Sequence, residues 1–395
     1  MTEHRLEVAD VFRQYEQEFL AAWGHTLSRQ QRRAFRDICA CRTAALGGHL
    51  QQCDSCPHQP ISYNSCRSRS CPKCQSSARD KWLVREGRHL LPVPYCHVVF
   101  TLPHELSPLA LQNPKLIYDL LFRAVRVTLL PIAADPTRLG AHLGFLAVLH
   151  SWDQKMLHHP HLHCLVPAGG LSLDRSRWIS CRKRFFLPVA VLASRFRKRF
   201  RTLLAAAYRR KELKLSGKLR PLLRPVAFDR LYRSLKKKKW VVYAKPPFGG
   251  PEQVLKYLAR YTHRIAIANG RLVGLDNGNV SFRWRDSANG NTQKVITVGA
   301  VEFIRRFLMH VLPPGFVKIR HFGFLANTKR RVSLALCRSL LASAEQGVSK
   351  MLTDLQVRAI QRKCPICHTG TLHVIGWIAP GVPIDLVAPI CVNTS

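Results

Sequence analysis

Between positions 159 and 163 the chain reads His-Pro-His-Leu-His, and the run continues as Cys164-Leu165-Val166. In an extended strand alternate side chains share a face, so His161 and His163 point together while Leu162 points into a core. Two imidazoles spaced this way can hold a divalent cation and leave positions open for a phosphate oxygen and a water. His159 is in phase with them, but Pro160 weakens the strand at that point, which favours His161 and His163 as the pair. A bare His-x-His is more often a pair of hydrogen-bonded core histidines, so the rest of the chain has to decide.

A second candidate follows downstream, Tyr257-Leu258-Ala259-Arg260-Tyr261, in a segment that reads as a helix from Pro251 to Thr262. Tyrosines at i and i+4 stack on one helical face. Lys256, Arg260 and Arg264 surround the phenols with positive charge. A phenolate nucleophile needs such surroundings, since an unperturbed tyrosine titrates near about 10. Taken alone, the pair would read as an aromatic core stripe.

Cysteine supplies the third signal. Seven cysteines crowd between Cys39 and Cys74, among them Cys53-x-x-Cys56 and Cys71-Pro-Lys-Cys74, separated by 14 residues. Each pair makes a knuckle whose thiolates face one ion, so Cys53, Cys56, Cys71 and Cys74 are the expected ligands of a structural Zn²⁺ in a ribbon-like domain. A segment this poor in core residues needs a metal, which contributes on the order of 10 kcal/mol to folding. Cys39, Cys41, His49, His58 and Cys66 are spare donors, enough for a second ion. A third knuckle, Cys364-Pro-Ile-Cys367 with His368 and His373 beside it, is half a site by itself.

The charge balance names the partner. Lys plus Arg total 62 against 23 Asp plus Glu, a formal net charge of +39, and a packed chain with that excess implies a polyanion. Lys236, Lys237 and Lys238, with the arginines of a helix read from Val189 to Leu213, are expected to line the path of a bound strand. None of the chemistry-bearing motifs contains a paired carboxylate, which argues against a nuclease built on three acids. There is no G-x-x-x-x-G-K-[ST] loop for a nucleoside triphosphate either. No secretory signal or apolar spanning run is legible, so the expected location is a reducing cytoplasm.

The elements that must position these groups are a mixture of strands and helices. Residues 5 to 38 read as two helices, with Ser28 as a cap, and residues 39 to 80 as a small zinc-binding domain. Strands are expected at Tyr95–Leu102, Phe145–His150, His161–Val166 and Trp240–Ala244, and helices near Lys115–Leu130 and at Ala300–Leu312. Asn269-Gly270 and Asn277-Gly278 read as hairpin turns. The block from 95 to 330 is the expected catalytic domain, and 331–395 an ill-organised tail carrying the lone knuckle.

Together these features resemble the two-tyrosine rolling-circle transposases of bacterial insertion sequences, members of the HUH endonuclease superfamily. The resemblance extends through Cys41-Arg42-Thr43 with Gly48-His49, and Ser65-Cys66-Arg67 leading into Cys71-Pro72-Lys73-Cys74. It continues in His97-Val98-Val99-Phe100-Thr101-Leu102-Pro103, the histidine strand with Gly169-Gly170, and Arg320-His321-Phe322-Gly323-Phe324-Leu325. One position departs: Ser70 stands where the family leads one to expect a histidine. The resemblance implies an α+β fold, an HUH-type antiparallel sheet with packed helices, preceded by the zinc-ribbon-like domain. It implies an enzyme that cuts and rejoins single-stranded DNA, with Mg²⁺ or Mn²⁺ on His161 and His163 and attack by Tyr257 or Tyr261. The product would be a 5′-phosphotyrosine link and a free 3′-hydroxyl. A third metal ligand is usual, and Gln154 and His150 both qualify. It also implies a bacterial, nucleoid-associated setting. The alternatives are a relaxase or replication initiator with the same chemistry, or a zinc-ribbon DNA-binding protein without catalysis.

Overall fold

The computed structural model describes residues 5–181, 187–248, 250, 253–254, 265–286, 289–341 and 363–382. The chain divides into two compact units and passes between them repeatedly: Met1–Val84, His263–Val311 and Leu352–Ser395 form one, Arg85–Thr262 and Leu312–Met351 the other.

The first unit opens with three helices where two were expected, α1 (Val8–Gln14), α2 (Glu16–Trp23) and α3 (Arg29–Ala40). Ser28 caps α3: its hydroxyl accepts the Gln31 N–H at 3.3 Å, and its own N–H donates to Gln31 Oε1 at 2.9 Å. The helices hold together through Phe12, Phe19 and Phe35, with Phe35 ring centroids 5.2 Å from Phe12 and 5.6 Å from Phe19. Strands β1 (Gly48–Cys53) and β2 (Ile61–Tyr63) pair antiparallel, and α4 (Pro72–Gly87) leads the chain onward.

The second unit is built on β3 (Tyr95–Thr101), α5 (Ser107–Gln112), α6 (Pro114–Ala134), β4 (Ala141–His142), β5 (Gly144–Trp152) and β6 (His158–Pro167). Then come β7 (Gly169–Ser172), β8 (Trp178–Ser180), α7 (Val189–Arg209), α8 (Pro225–Lys237) and β9 (Val242–Phe248). The chain returns to the first unit as the meander β10 (Leu272–Asp276), β11 (Asn279–Asp286), β12 (Thr292–Gly299) and the helix α9 (Ala300–Leu308). There Phe307 closes on Phe12 at 5.3 Å, edge to face. The second unit is completed by β13 (Ile319–Gly323) and α10 (Arg330–Leu340), the first by β14 (Leu372–Ile378).

The sheet that matters for function runs β13-β5-β6-β3-β9, antiparallel at every pairing. Its fold class is the expected α+β arrangement. One face is apolar: Val98, Phe100, Phe145, Leu149, Leu162 and Cys164 are buried with α6 and α7 in one core. Helix α7 shows why it packs there, since Leu192, Phe196, Phe200 and Leu204 recur every fourth residue and are fully buried, while the arginines between them are more exposed. Gly323 ends β13 at φ +63°, and a Cβ there would collide with the Leu143 carbonyl oxygen, so no other residue fits.

Some elements differ from the sequence reading. Helix α8 was not anticipated, although Pro225 at its first turn is a standard start signal. Asn277-Gly278 makes the expected hairpin turn between β10 and β11, both residues at positive φ. Asn269-Gly270 instead begins one tight helical turn, because Asn269 Oδ1 is taken up in accepting the Val8 N–H at 3.2 Å. The stretch beyond 330 is not a bare tail, since it supplies α10 and the β14 partner of β1. No helix among the described residues is long and apolar enough to cross a membrane.

Candidate functional site

Strand β6 is central in the sheet, and its pleat sorts its side chains: Leu162, Cys164 and Val166 go to the buried face, His159, His161 and His163 to the other. The neighbouring strands bring two more histidines to that second face. His150 of β5 stands directly opposite His161, and His97 of β3 sits diagonally from His163, whose direct partner is Val99. His150, His161 and His163 have their ring nitrogens within 4.8 Å of one another. Gln154, the other candidate third ligand, lies exposed on the connection between β5 and β6. His97 was missed as part of the site. Its one signal in the sequence was a histidine within an expected strand.

The hydrogen bonds fix how the rings present themselves. His161 Nδ1 is 2.6 Å from the His159 carbonyl oxygen, which can only accept, so the proton is on Nδ1 and Nε2 carries the lone pair. His163 Nδ1 is 2.9 Å from His97 Nε2 and its Nε2 is 3.1 Å from His161 Nε2; in the tautomer that donates to His97, the His163 Nε2 lone pair faces that of His161, and in the other His163 Nε2–H donates to it. In the first tautomer two lone pairs at that distance repel unless something positive lies between them. Two imidazole nitrogens bound cis to one ion at about 2.1 Å lie about 3.0 Å apart, close to the separation seen here. The donors therefore fit a divalent ion, with His97 orienting one ligand as an outer partner does in metal sites generally.

Burial keeps these rings neutral, the form that binds metal. It pushes His161 down to about 4 and His97 down to about 3, the latter helped by Lys245. His163 lies well below its ordinary value, first from burial and then from the neighbouring histidines. Among the described residues no carboxylate joins the cluster. An ion held by neutral ligands alone keeps its full double charge, which suits a phosphate-bearing substrate.

The motif Arg320-His321-Phe322-Gly323 is explained by packing. Arg320 bonds Asp119 of α6 at 2.5 Å and lies over the Phe122 ring at 4.2 Å, while His321 donates to buried Glu86 at 2.7 Å. Lys236 and Lys237 are exposed in the last turn of α8, where the helix dipole already favours cations. Lys238 is engaged with Glu105 at 2.5 Å, so it is less available to a ligand than its neighbours. Tyr257, Tyr261, Arg260 and Arg264 lie outside the described residues.

The cysteines do not form the single ribbon that their spacing suggested. Cys71 and Cys74 gather with Cys41 and Cys66, while Cys53 and Cys56 gather with Cys364 and Cys367. The reason is geometric: β1 extends from Gly48 to Cys53, which carries the first knuckle to the far end of the strand from Cys41. In the first cluster Cys41 Sγ is 3.6 Å from Cys74 Sγ, and Cys66 Sγ 3.5 Å from the same atom. Hydrogen bonds from Cys66 and Cys71 favour a thiolate on Cys41, lowering its pKa, and the same coupling raises that of Cys71. Four sulfurs packed this closely ionise together only around a cation. With four thiol donors assembled, the histidine expected in place of Ser70 is not needed. Cys39 is not part of either cluster, and burial raises its thiol to about 12.

A family model described as "Transposase zinc-binding domain" matches residues 11–102, and one described as "Putative transposase" matches residues 144–332. The chain is 52% identical over 379 residues to "Putative transposase y4qJ" of Sinorhizobium fredii, covering 93% of this chain and 94% of that one. It is 30% identical over 316 residues to "Transposase for insertion sequence element IS801" of Pseudomonas savastanoi pv. phaseolicola, covering 77% and 74%. No solved structure matches significantly.

The lowered histidine values set a pH test. Protons compete with a metal ion for an imidazole only near and below its folded pKa, so depressed values move that competition to lower pH. Mn²⁺ affinity, followed by electron paramagnetic resonance, should stay flat from pH 7.5 to about 5 and fall through the range near 4. A decline that begins near about 6.5, the value of an unperturbed histidine, would contradict the buried-ligand geometry. Replacing His161 and His163 by Ala should remove Mn²⁺ binding and leave cysteine-bound zinc in place.

Proposed function

Because the chain belongs to the IS91/IS801 family of transposases with an N-terminal zinc-binding domain, we propose that it moves DNA by cutting and rejoining single strands through a tyrosine. The observation that carries the reading is the convergence of His150, His161 and His163 on one face of an antiparallel sheet. Family membership favours transposition over the relaxase and replication-initiator alternatives.

In this reading His150, His161 and His163 hold one divalent ion, and His97 fixes the orientation of His163. The ion, Mg²⁺ or Mn²⁺, would polarise the scissile phosphate and stabilise the charge that builds on its oxygens. An all-imidazole set favours Mn²⁺, since Mg²⁺ prefers oxygen ligands. Tyr257 or Tyr261 attacks phosphorus in line through its hydroxyl oxygen, whose proton is released. The bond to the 3′ oxygen breaks, and that oxygen takes up a proton to become a free hydroxyl. One phosphodiester is exchanged for another of similar energy, so the reverse attack by a 3′-hydroxyl reseals the strand without a nucleotide cofactor. A pair of tyrosines allows one end to be held while another is cut. Strand β9, at the sheet edge beside β3, ends at Phe248, and the tyrosine segment follows it in sequence. Tyr243 and Lys245 of β9 are exposed and share the face of His163 and His97 through the β3 register.

Changing Tyr257 and Tyr261 together to Phe should abolish a covalent adduct with single-stranded DNA from the element's ends, seen as a shifted band on a denaturing gel. DNA binding should persist, because the cationic surface is untouched. Undiminished adduct in the double variant would sink the assignment.

Lys236 and Lys237, with the exposed arginines of α7, are assigned to the phosphate backbone of the bound strand. Neutralising both lysines should weaken binding to all sequences alike. The slope of log affinity against log salt should flatten by roughly 0.7 for each phosphate that is no longer neutralised. An unchanged slope would mean that this surface faces only solvent.

A further inference from the structure

The zinc-binding match ends at residue 102, yet two cysteines of the carboxyl-terminal segment complete a four-thiol cluster with two from the amino-terminal domain. We propose that Cys53, Cys56, Cys364 and Cys367 bind a second structural zinc ion that fastens the carboxyl-terminal segment into the zinc-binding domain.

The sulfur spacing matches a tetrahedral ion. Cys53 Sγ lies 3.7 Å from Cys367 Sγ, and Cys56 Sγ lies 3.7 Å from Cys364 Sγ. A tetrahedron with Zn–S bonds of about 2.3 Å has edges of about 3.8 Å, whereas a disulfide needs about 2.05 Å. The loops are also shaped to present thiolates. The Ser55 N–H points at Cys53 Sγ at 3.4 Å and the Gly370 N–H at Cys367 Sγ at 3.3 Å, so backbone dipoles help to stabilise negative sulfur. The turn carrying Cys364 and Cys367 is closed by Cys364 N–H to the Gly370 carbonyl at 2.8 Å. Its His368 is held at φ 60°, an uncommon conformation for a residue with a side chain. Arg42 and Arg67, which follow Cys41 and Cys66 in the other cluster, take the same left-handed conformation at φ 56° and 53°. Gly370 cannot be replaced without moving the site, because a Cβ there would collide with Cys53 Sγ.

Packing alone does not account for the association. Strand β14 pairs with β1 from Cys53 opposite Leu372 to Gly48 opposite Ile378, but Ile378 is its only buried residue. Burying one such side chain contributes about 1.5–3 kcal/mol, whereas a structural zinc contributes on the order of 10 kcal/mol. The ligands are 308 and 314 residues apart across two sulfur pairs, so the ion closes most of the 395-residue chain into a loop. A carboxyl-terminal segment that looks dispensable in sequence thereby becomes part of the amino-terminal domain.

The test uses the full-length reduced protein. Titrating its thiols with an organomercurial while reading released zinc counts only thiolate-bound metal, separating it from any ion on the histidines. Wild type should release two zinc ions per chain. Cys364→Ser with Cys367→Ser should release one, as should Cys71→Ser with Cys74→Ser. Release of a single ion from wild type, or of two from the Cys364/Cys367 variant, would overturn the proposal. So would a wild-type mass showing disulfides among these four cysteines. A second variant guards against misfolding: Cys367→His keeps a ligand at the position, so two ions should remain. In the cobalt-substituted protein it should shift the ligand-field bands of one site toward higher energy, as replacement of sulfur by nitrogen requires. Bands identical to wild type would overturn the proposal.

Discussion

The pleat of β6 cannot deliver Leu162, Cys164 and Val166 to the apolar core without delivering His161 and His163 to the opposite face. A slip of one residue in register would exchange the two sets, placing imidazoles against Phe100 and Phe145 and leucine on the opposite face. The apolar covering by α6 and α7 therefore does more than stabilise the domain, because it locks the phase of the strand that carries the candidate metal ligands. Antiparallel neighbours extend the same logic, with β5 setting His150 across from His161 and β3 setting His97 beside His163. Central position matters as well, since a strand paired on both sides holds its side chains more firmly than an edge strand.

Electrostatics then divides the labour between the units. The histidine cluster has no carboxylate of its own among the described residues, in a chain whose net charge is +39. Such surroundings disfavour a free cation and favour an anion, so ion and phosphate are expected to bind better together than apart. The cysteine clusters work the other way. Four thiolates around a doubly charged ion leave net negative charge, which the basic chain accommodates readily, and this suits sites that serve stability.

How much was legible in the sequence depended on how local the signal was. His161 and His163 could be read because strand alternation is a property of consecutive residues, and Ser28 because a helix cap needs only the next three. The knuckles were equally plain as pairs. Their partnering was not, since whether Cys53 meets Cys71 or Cys367 is settled by a strand pairing across more than 300 residues. Strand β14 escaped notice because it flanks a small sheet with only Ile378 buried, so it shows no two-residue alternation of burial. His97 and His150 were visible as histidines on strands, but their meeting depends on the order and register of β3, β5 and β6, which no local pattern encodes.

The account's central claim is that His161 and His163 chelate one divalent ion on the face of this sheet opposite the apolar core, with His150 completing the set. A crystal grown with Mn²⁺ and examined by anomalous scattering at the manganese edge addresses it directly. The account predicts a single strong peak about 2.2 Å from Nε2 of both His161 and His163 and within coordination distance of His150. A structure in which those two nitrogens share a proton, with the manganese bound elsewhere, would contradict it.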